Sequence, residues 1–273
     1  MTRELVGTSL KMNFTATEAR AYFRALVPLV ADIDDRDLFV LPPFTALWVA
    51  REELAGTAIA WGAQDVHESI SGAHTGDISA PMLVDLGCRF VEVGHSERRR
   101  DHGEGDRQIA RKVATGVHCG LEVIVCVGER VAMPTSTARA VVLRHLGALL
   151  GAIRPDELAR VVVAYEPYWA IGAGASVASG EHVSAIHLAV RDYLVRLGCA
   201  APRVIYGGSV DFDTCRELLA QPGVDGLFVG RAALDPVEFA RIAHARVRPL
   251  DLEADAQSGG LSSSTTPSPS VRS

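Results

Sequence analysis

Short apolar runs rich in Val, Ile and Phe recur along the chain, each closing on a Gly or polar cluster before a helix-period segment begins. The runs are Leu5–Ser9, Leu38–Leu41, Ala58–Gly62, Phe90–Val93, Val123–Val127, Val161–Tyr165, Val204–Tyr206 and Leu227–Val229. Helical periodicity marks Thr17–Val30, Asp106–His118, Thr137–Ala152, Glu181–Leu197 and Pro236–Ala245. Strands apolar on both faces belong in a parallel sheet covered by helices. Eight of them alternating with helices predict an α/β fold, a closed (β/α)8 barrel in preference to an open doubly wound sheet. One barrel domain is expected over residues 1–250. Beyond it the pattern stops: Ala256–Ser273 reads AQSGGLSSSTTPSPSVRS, with almost no large apolar side chain to offset ordering entropy. Residues 251–273 are expected to form a disordered, low-complexity tail.

Composition narrows the function. With 273 residues, 48% hydrophobic and 22% charged, the chain falls in the globular range. A formal net charge of −6 argues against a general nucleic-acid or anionic-membrane partner. Of the 27 Lys and Arg residues only Lys11 and Lys112 are lysine, which draws attention to a Lys at the end of the first strand. Cys88, Cys119, Cys126, Cys199 and Cys215 lack C-x-x-C spacing and sit mostly in apolar runs, so they read as reduced thiols. No signal peptide and no membrane span is expected, which suggests a cytoplasmic enzyme.

A barrel of this kind carries its site at the carboxyl ends of the strands. Those ends read Ser9-Leu10-Lys11, Gln64, Gly94-His95-Ser96-Glu97, Cys126-Val127-Gly128-Glu129, Glu166-Pro167, Gly207-Gly208-Ser209 and Gly230-Arg231. A carboxylate, an imidazole, an ammonium and Gly-bearing turns therefore share one rim. Proton abstraction next to a carbonyl needs that set, and Gly-rich turns at helix N-termini suit a phosphate. Each piece alone is ordinary: a Glu ending an apolar strand is commonly ion-paired, and a lone His is commonly a satisfied loop residue. No cluster with metal-ligand spacing is present, so neither metal nor cofactor is expected.

The segments Gly7–Asn13 (GTSLKMN), Gly94–Arg99 (GHSERR), Ala164–Gly172 (AYEPYWAIG) and Tyr206–Val210 (YGGSV) resemble the triosephosphate isomerase family, in order, over roughly residues 4 to 247. The resemblance implies the TIM barrel of that family, with Glu166 as the base that moves a proton between adjacent carbons and a neutral His95 as the electrophile. This Glu and His pairing is that family's own, and its assignment to these two residues rests on the resemblance alone. The resemblance further implies that Lys11 supplies positive charge, with Glu97 and Cys126 supporting. Ser9, Lys11, Gly172, Ser209, Gly230 and Arg231 would bind a small phosphorylated sugar. The run Pro167, Tyr168, Trp169, Ala170, Ile171, Gly172, Ala173 and Gly174 would form a lid that excludes water. Gly72–Ser79 (GAHTGDIS) resembles the loop that places a Thr, here Thr75, against a second subunit, so a homodimer is implied.

The chain departs from that family on the rim. Ser9 stands for the usual Asn, Leu10 for Trp, Asp65 for Asn, Arg231 for a second Gly, and the lid runs into Ala178-Ser179-Gly180-Glu181. Most of these, together with Val91-Glu92-Val93-Gly94 and Asp225–Arg231, are similar to the erythrulose-phosphate isomerase branch; Leu10 departs from both. The expected reaction is interconversion of L-erythrulose 1-phosphate and D-erythrulose 4-phosphate, with Ser9 making room for one more CH2OH. The alternative is interconversion of dihydroxyacetone phosphate and D-glyceraldehyde 3-phosphate. A silent sugar-phosphate-binding scaffold is a remote third reading, set against the presence of Glu166, His95 and Lys11.

Overall fold

The computed structural model describes residues 3–171 and 177–246. Eight strands, β1 (Glu4–Ser9), β2 (Arg36–Leu41), β3 (Ile59–Ala63), β4 (Phe90–Val93), β5 (Glu122–Val127), β6 (Val161–Tyr165), β7 (Arg203–Tyr206) and β8 (Gly226–Val229), close into a single-domain parallel barrel. Sequential strands are neighbours throughout, and β8 returns to β1 with Leu5 opposite Gly226. The expected strands are all present, β4 and β6 with the expected bounds and the other six shifted by one or two residues, mostly because a polar residue such as Arg36, Glu122 or Arg203 begins the hydrogen-bonded ladder.

The described helices are α1 (Ala16–Leu29), α2 (Leu47–Leu54), α3 (Ala80–Asp85), α4 (Ser96–Asp101), α5 (Asp106–His118), α6 (Thr135–Leu150), α7 (Gly180–Arg196), α8 (Cys215–Ala220) and α9 (Pro236–Ala243). The five helices that periodicity expects are all among them. Four others, α2, α3, α4 and α8, have six or eight residues, too few turns to establish a period. Local chemistry starts the helices: Thr15 and Glu18 form a reciprocal capping box on α1, and Asp235 caps α9 through the amides of Val237 and Glu238. Packing of α1 against both α2 and α9 closes the outer ring.

Alternation along the strands divides the core in two. One phase faces the helices; the other fills the barrel with Leu5, Phe39, Leu41, Phe90, Ile124, Cys126, Val162, Ala164, Ile205 and Phe228. Phe39 lies at the centre of that filling, its ring 5.0 Å from Phe90 and 5.5 Å from Phe228. Among the described residues no helix is long and apolar enough to cross a membrane. The expected tail, 251–273, lies outside the described residues.

Phe39 is fully buried, and its removal would leave a void that neighbouring strands cannot collapse into. Phe39→Ala should cost about 3–5 kcal/mol in denaturant unfolding; a cost below about 1 kcal/mol would show that the barrel interior relaxes freely.

Candidate active site

Following the inward phase of each strand past the apolar filling leads to polar groups on one floor. Leu5 leads by twos to Ser9, Phe90 to Glu92, and Val162 and Ala164 to Glu166. Ser9 is buried, and Glu92 and Glu166 are each 2% exposed. With Lys11, His95, Glu97, Gly207, Ser209, Gly230 and Arg231 they line a cavity of about 840 Å³, ample for a small phosphorylated sugar.

Lys11 follows β1 in a left-handed conformation, φ 54°, which costs a non-glycine residue of order 1–3 kcal/mol. Gln64 holds the strained turn by donating to the Lys11 carbonyl at 3.0 Å and to that of Leu41 at 2.9 Å. Asn13 adds a bond to the Leu10 carbonyl at 2.7 Å. The turn aims the ammonium at Glu97, 2.8 Å away. Burial pushes the Glu97 carboxyl up, but the Lys11 hydrogen bond and the nearby positive charge outweigh it and leave the group below its ordinary value. Leu10 is fully buried and fills its own space beside the cavity.

His95 caps α4: its Nδ1 accepts the Glu97 amide at 3.2 Å. That bond leaves the ring proton of the neutral form on Nε2, which faces Glu166 Oε2 at 3.5 Å. Burial, with help from the Lys11 charge, lowers the imidazole to about 4, so it stays neutral through the physiological range. A second buried network steadies α4 from below. Asp65 accepts from Lys112 Nζ at 2.8 Å and pairs with Arg98 at 2.9 Å, while Glu104 takes the same two cations. The acid at position 65 thereby has two cationic partners, one of them the chain's other lysine.

Glu166 leaves β6 into a space kept clear by two glycines. A Cβ at Gly128 would lie 1.9 Å from the Glu166 carbonyl, and one at Gly207 would lie 2.7 Å from its Cγ. Burial first, and the neighbouring Glu92 carboxylate second, raise the Glu166 carboxyl well above its ordinary value. Its Oε2 is buried without a hydrogen-bond partner. Cys126 sits between the two acids and its Sγ donates to Glu92 Oε1 at 3.7 Å. Burial and the adjacent carboxylates push that thiol far up, so it is a donor and not a nucleophile. Glu92 is the residue that a reading of strand ends misses. Counting by twos from Phe90 along an apolar strand is the signal that finds it.

Pro167 leads into a 3-10 turn, Tyr168–Ala170, and buried Glu129 anchors it by accepting Trp169 Nε1 at 2.7 Å and the Tyr165 hydroxyl at 3.1 Å. Ser209 Oγ donates to the Ala170 carbonyl at 2.9 Å, tying the start of the segment expected as a lid to the turn after β7. Ile171 lines the cavity, whereas Gly172, Ala173 and Gly174 lie outside the described residues. Gly230 and the exposed Arg231 stand after β8, and Arg231 makes no ion pair among the described residues. Thr75 is exposed and does not line the cavity.

Two clusters have the spacing of a metal site, contrary to the expectation that none does. The ligating atoms of Glu92, Cys126 and Glu166 lie within 4.8 Å of one another, as do those of His67, His74 and Asp77. The protonated Cys126 thiol removes one donor from the first. In the second, His67 Nδ1 accepts the Ser69 amide at 3.0 Å, which leaves the proton on Nε2, the atom facing Asp77.

A closed parallel barrel with a carboxylate, an imidazole and an ammonium gathered at its carboxyl rim is a β/α-barrel enzyme. A family model described as triosephosphate isomerase matches residues 4–246, and the chain belongs to the triosephosphate isomerase family. A triosephosphate isomerase of Roseiflexus sp. (strain RS-1) is 43% identical over 249 residues, 89% of this chain and 98% of the relative. Those of Chloroflexus aurantiacus and Thiobacillus denitrificans are each 42% identical, covering 88% and 91% of this chain and 98% and 100% of their own lengths.

The glycine at 207 gives a test of the site geometry. Gly207→Ala would push the Glu166 carboxylate from its place, since the new Cβ falls 2.9 Å from Oε1. Isomerase turnover should fall by about 10²-fold with KM little changed; unaltered kinetics would show that Glu166 need not stand where it does.

Proposed function

We propose that this chain interconverts dihydroxyacetone phosphate and D-glyceraldehyde 3-phosphate through an enediolate. The observation carrying the reading is the buried Glu166 carboxylate beside the Nε2 proton of a neutral His95, 3.5 Å away, both lining the cavity. Ionised Glu166 takes the proton from the carbon beside the carbonyl and returns it to the neighbouring carbon. His95 donates to the two substrate oxygens in turn, and its low basicity suits a donor that must not become a cation. Lys11 offsets the charge that develops on the enediolate, with Glu97 fixing the ammonium. Amides of Gly172, Ser209, Gly230 and Arg231 hold the phosphate, and Pro167–Gly174 closes over it to keep water out. Cys126 supports the floor as a hydrogen-bond donor.

The names of the relatives support a three-carbon substrate ahead of the four-carbon one that the rim residues suggest in sequence. The second reading, isomerisation of L-erythrulose 1-phosphate, is favoured by one feature: Ser9 and Glu92 add buried hydroxyl and carboxyl groups to the cavity floor. Each is a partner for a further substrate hydroxyl.

A side-by-side comparison of kcat/KM on dihydroxyacetone phosphate and L-erythrulose 1-phosphate tests both readings, with Glu166→Gln as the control for mechanism. The triose phosphate should be preferred, and Glu166→Gln should lower kcat about 10²–10⁴-fold with little change in KM. Preference for the four-carbon substrate installs the second reading. Near wild-type turnover in the mutant removes Glu166 as the base.

A homodimer accompanies this reading, motivated by the exposed Thr75 loop and the exposed apolar Ile70 and Met82 on either side of it. Sedimentation equilibrium should give twice the chain mass of 29.1 kDa; a single-chain mass at micromolar concentration rejects it.

A further inference from the structure

Glu92 has no evident structural task. On the β5 side its neighbours in the same inward phase are apolar, Ile124 and beyond it Val162 on β6, so a Val or Ile would pack there. A carboxyl there costs folding free energy, because the Ser9 hydroxyl and a thiol at 3.7 Å are weak substitutes for water. The groups around it come from every neighbouring element. β1 contributes Ser9 and Lys11, β5 contributes Cys126, the end of β6 contributes Glu166, and α4 contributes His95 and Glu97, with Arg99 and Arg100 further along it. The nearest ammonium is engaged elsewhere, since Lys11 is bound to Glu97. Neither Glu92 nor Glu166 has a Lys or Arg ion-pair partner among the described residues.

We propose that Glu92 and Glu166 hold a single proton between them, so that Glu92 governs when Glu166 is free to act as base. The proposal rests on Glu166 being the base, as above. Two buried carboxyls with oxygens within 4.8 Å of each other and no directly bonded cation, Lys11 acting on them only from a distance, cannot both ionise readily, and their protons leave in two separated steps. Over the neutral range the pair carries one proton and one negative charge. Glu166 becomes competent when the proton passes to Glu92. Taking a proton from the substrate carbon then makes both carboxyls neutral, and the negative charge moves to the enediolate beside His95 and Lys11. Delivery to the neighbouring carbon restores the pair, with no proton gained or lost over the cycle. Glu92 acts through Glu166 and is a positioning residue.

The replacement Glu92→Gln keeps shape and removes the competing charge. The acid limb of its kcat/KM–pH profile should move to lower pH by about one unit, because Glu166 no longer ionises next to a carboxylate. A structural role alone would lower the plateau without moving the limb, and coincident profiles overturn the proposal. A second measurement does not need activity. Burial pushes Glu92 from 4.5 up to about 7, so the native state binds the extra proton and wild-type stability falls as pH rises across that window. The melting temperature of Glu92→Gln minus that of wild type should therefore increase from pH 4.5 to pH 7; a flat difference overturns the proposal. If Glu166→Gln retains turnover, the base assignment fails, while the stability difference still decides whether Glu92 carries a proton.

Discussion

Every polar group of the site stands on the packed filling of the barrel. Phe39, Phe90 and Phe228 meet ring to ring inside the strands, and Leu5, Ile124, Val162 and Ile205 close the gaps around them. Because strand side chains alternate, the residues two and four positions beyond these fillers have their direction fixed by the fillers' packing. Ser9, Glu92 and Glu166 inherit their places in this way. The helices contribute through the same constraint from outside: the Asp65, Glu104, Arg98 and Lys112 network holds α4, and α4 holds His95 by its own N-terminal amide. A site on strand ends is rigid because the core beneath it is full.

Burial then acts on the site's chemistry in two directions at once. It penalises whichever form is charged, so the same dryness lowers His95 to about 4 and raises Glu92 to about 7. A neutral imidazole and a reluctant carboxylate are what a proton transfer between carbons near neutral pH requires, and a single physical cause provides both. The exception is Glu97, half-buried and hydrogen-bonded to Lys11, which keeps its charge below the ordinary range. The Glu97 carboxylate at the rim thus stays ionised while the floor resists charge.

The sequence makes the frame legible because the frame is periodic. Eight apolar runs with helical segments between them admit few topologies, and the long motifs around His95 and Glu166 locate two of the three central groups on specific strand ends. Short helices escape: α3 and α8 are six residues each and show no repeat. Glu92 is harder for a different reason. A polar residue inside an apolar run reads as an interruption until the strand's phase is known, and phase is set by what Phe90 packs against across the barrel. Asp65 is similar, since its partners Arg98 and Lys112 come from helices far along the chain. Residues whose role is local are readable; those whose role is a tertiary pairing are not.

The rim substitutions differ in kind from the frame, and the difference bears on how strongly the site can choose a substrate. Ser9 is smaller than the Asn usual in the family, and volume alone discriminates by only about 1–3 kcal/mol per methylene-sized group. Glu92 and Ser9 also bring buried polar atoms, and a buried polar atom left without its partner costs about 1–3 kcal/mol each, more when charged. A substrate that satisfies both would be separated from one that satisfies neither by more than its size explains. The magnitude of the preference therefore carries structural information. A modest ratio means that Ser9 and Glu92 merely shape the space, with Glu92 facing Glu166. A ratio of several orders of magnitude means that substrate hydroxyls reach them and that the floor of the cavity is a recognition surface.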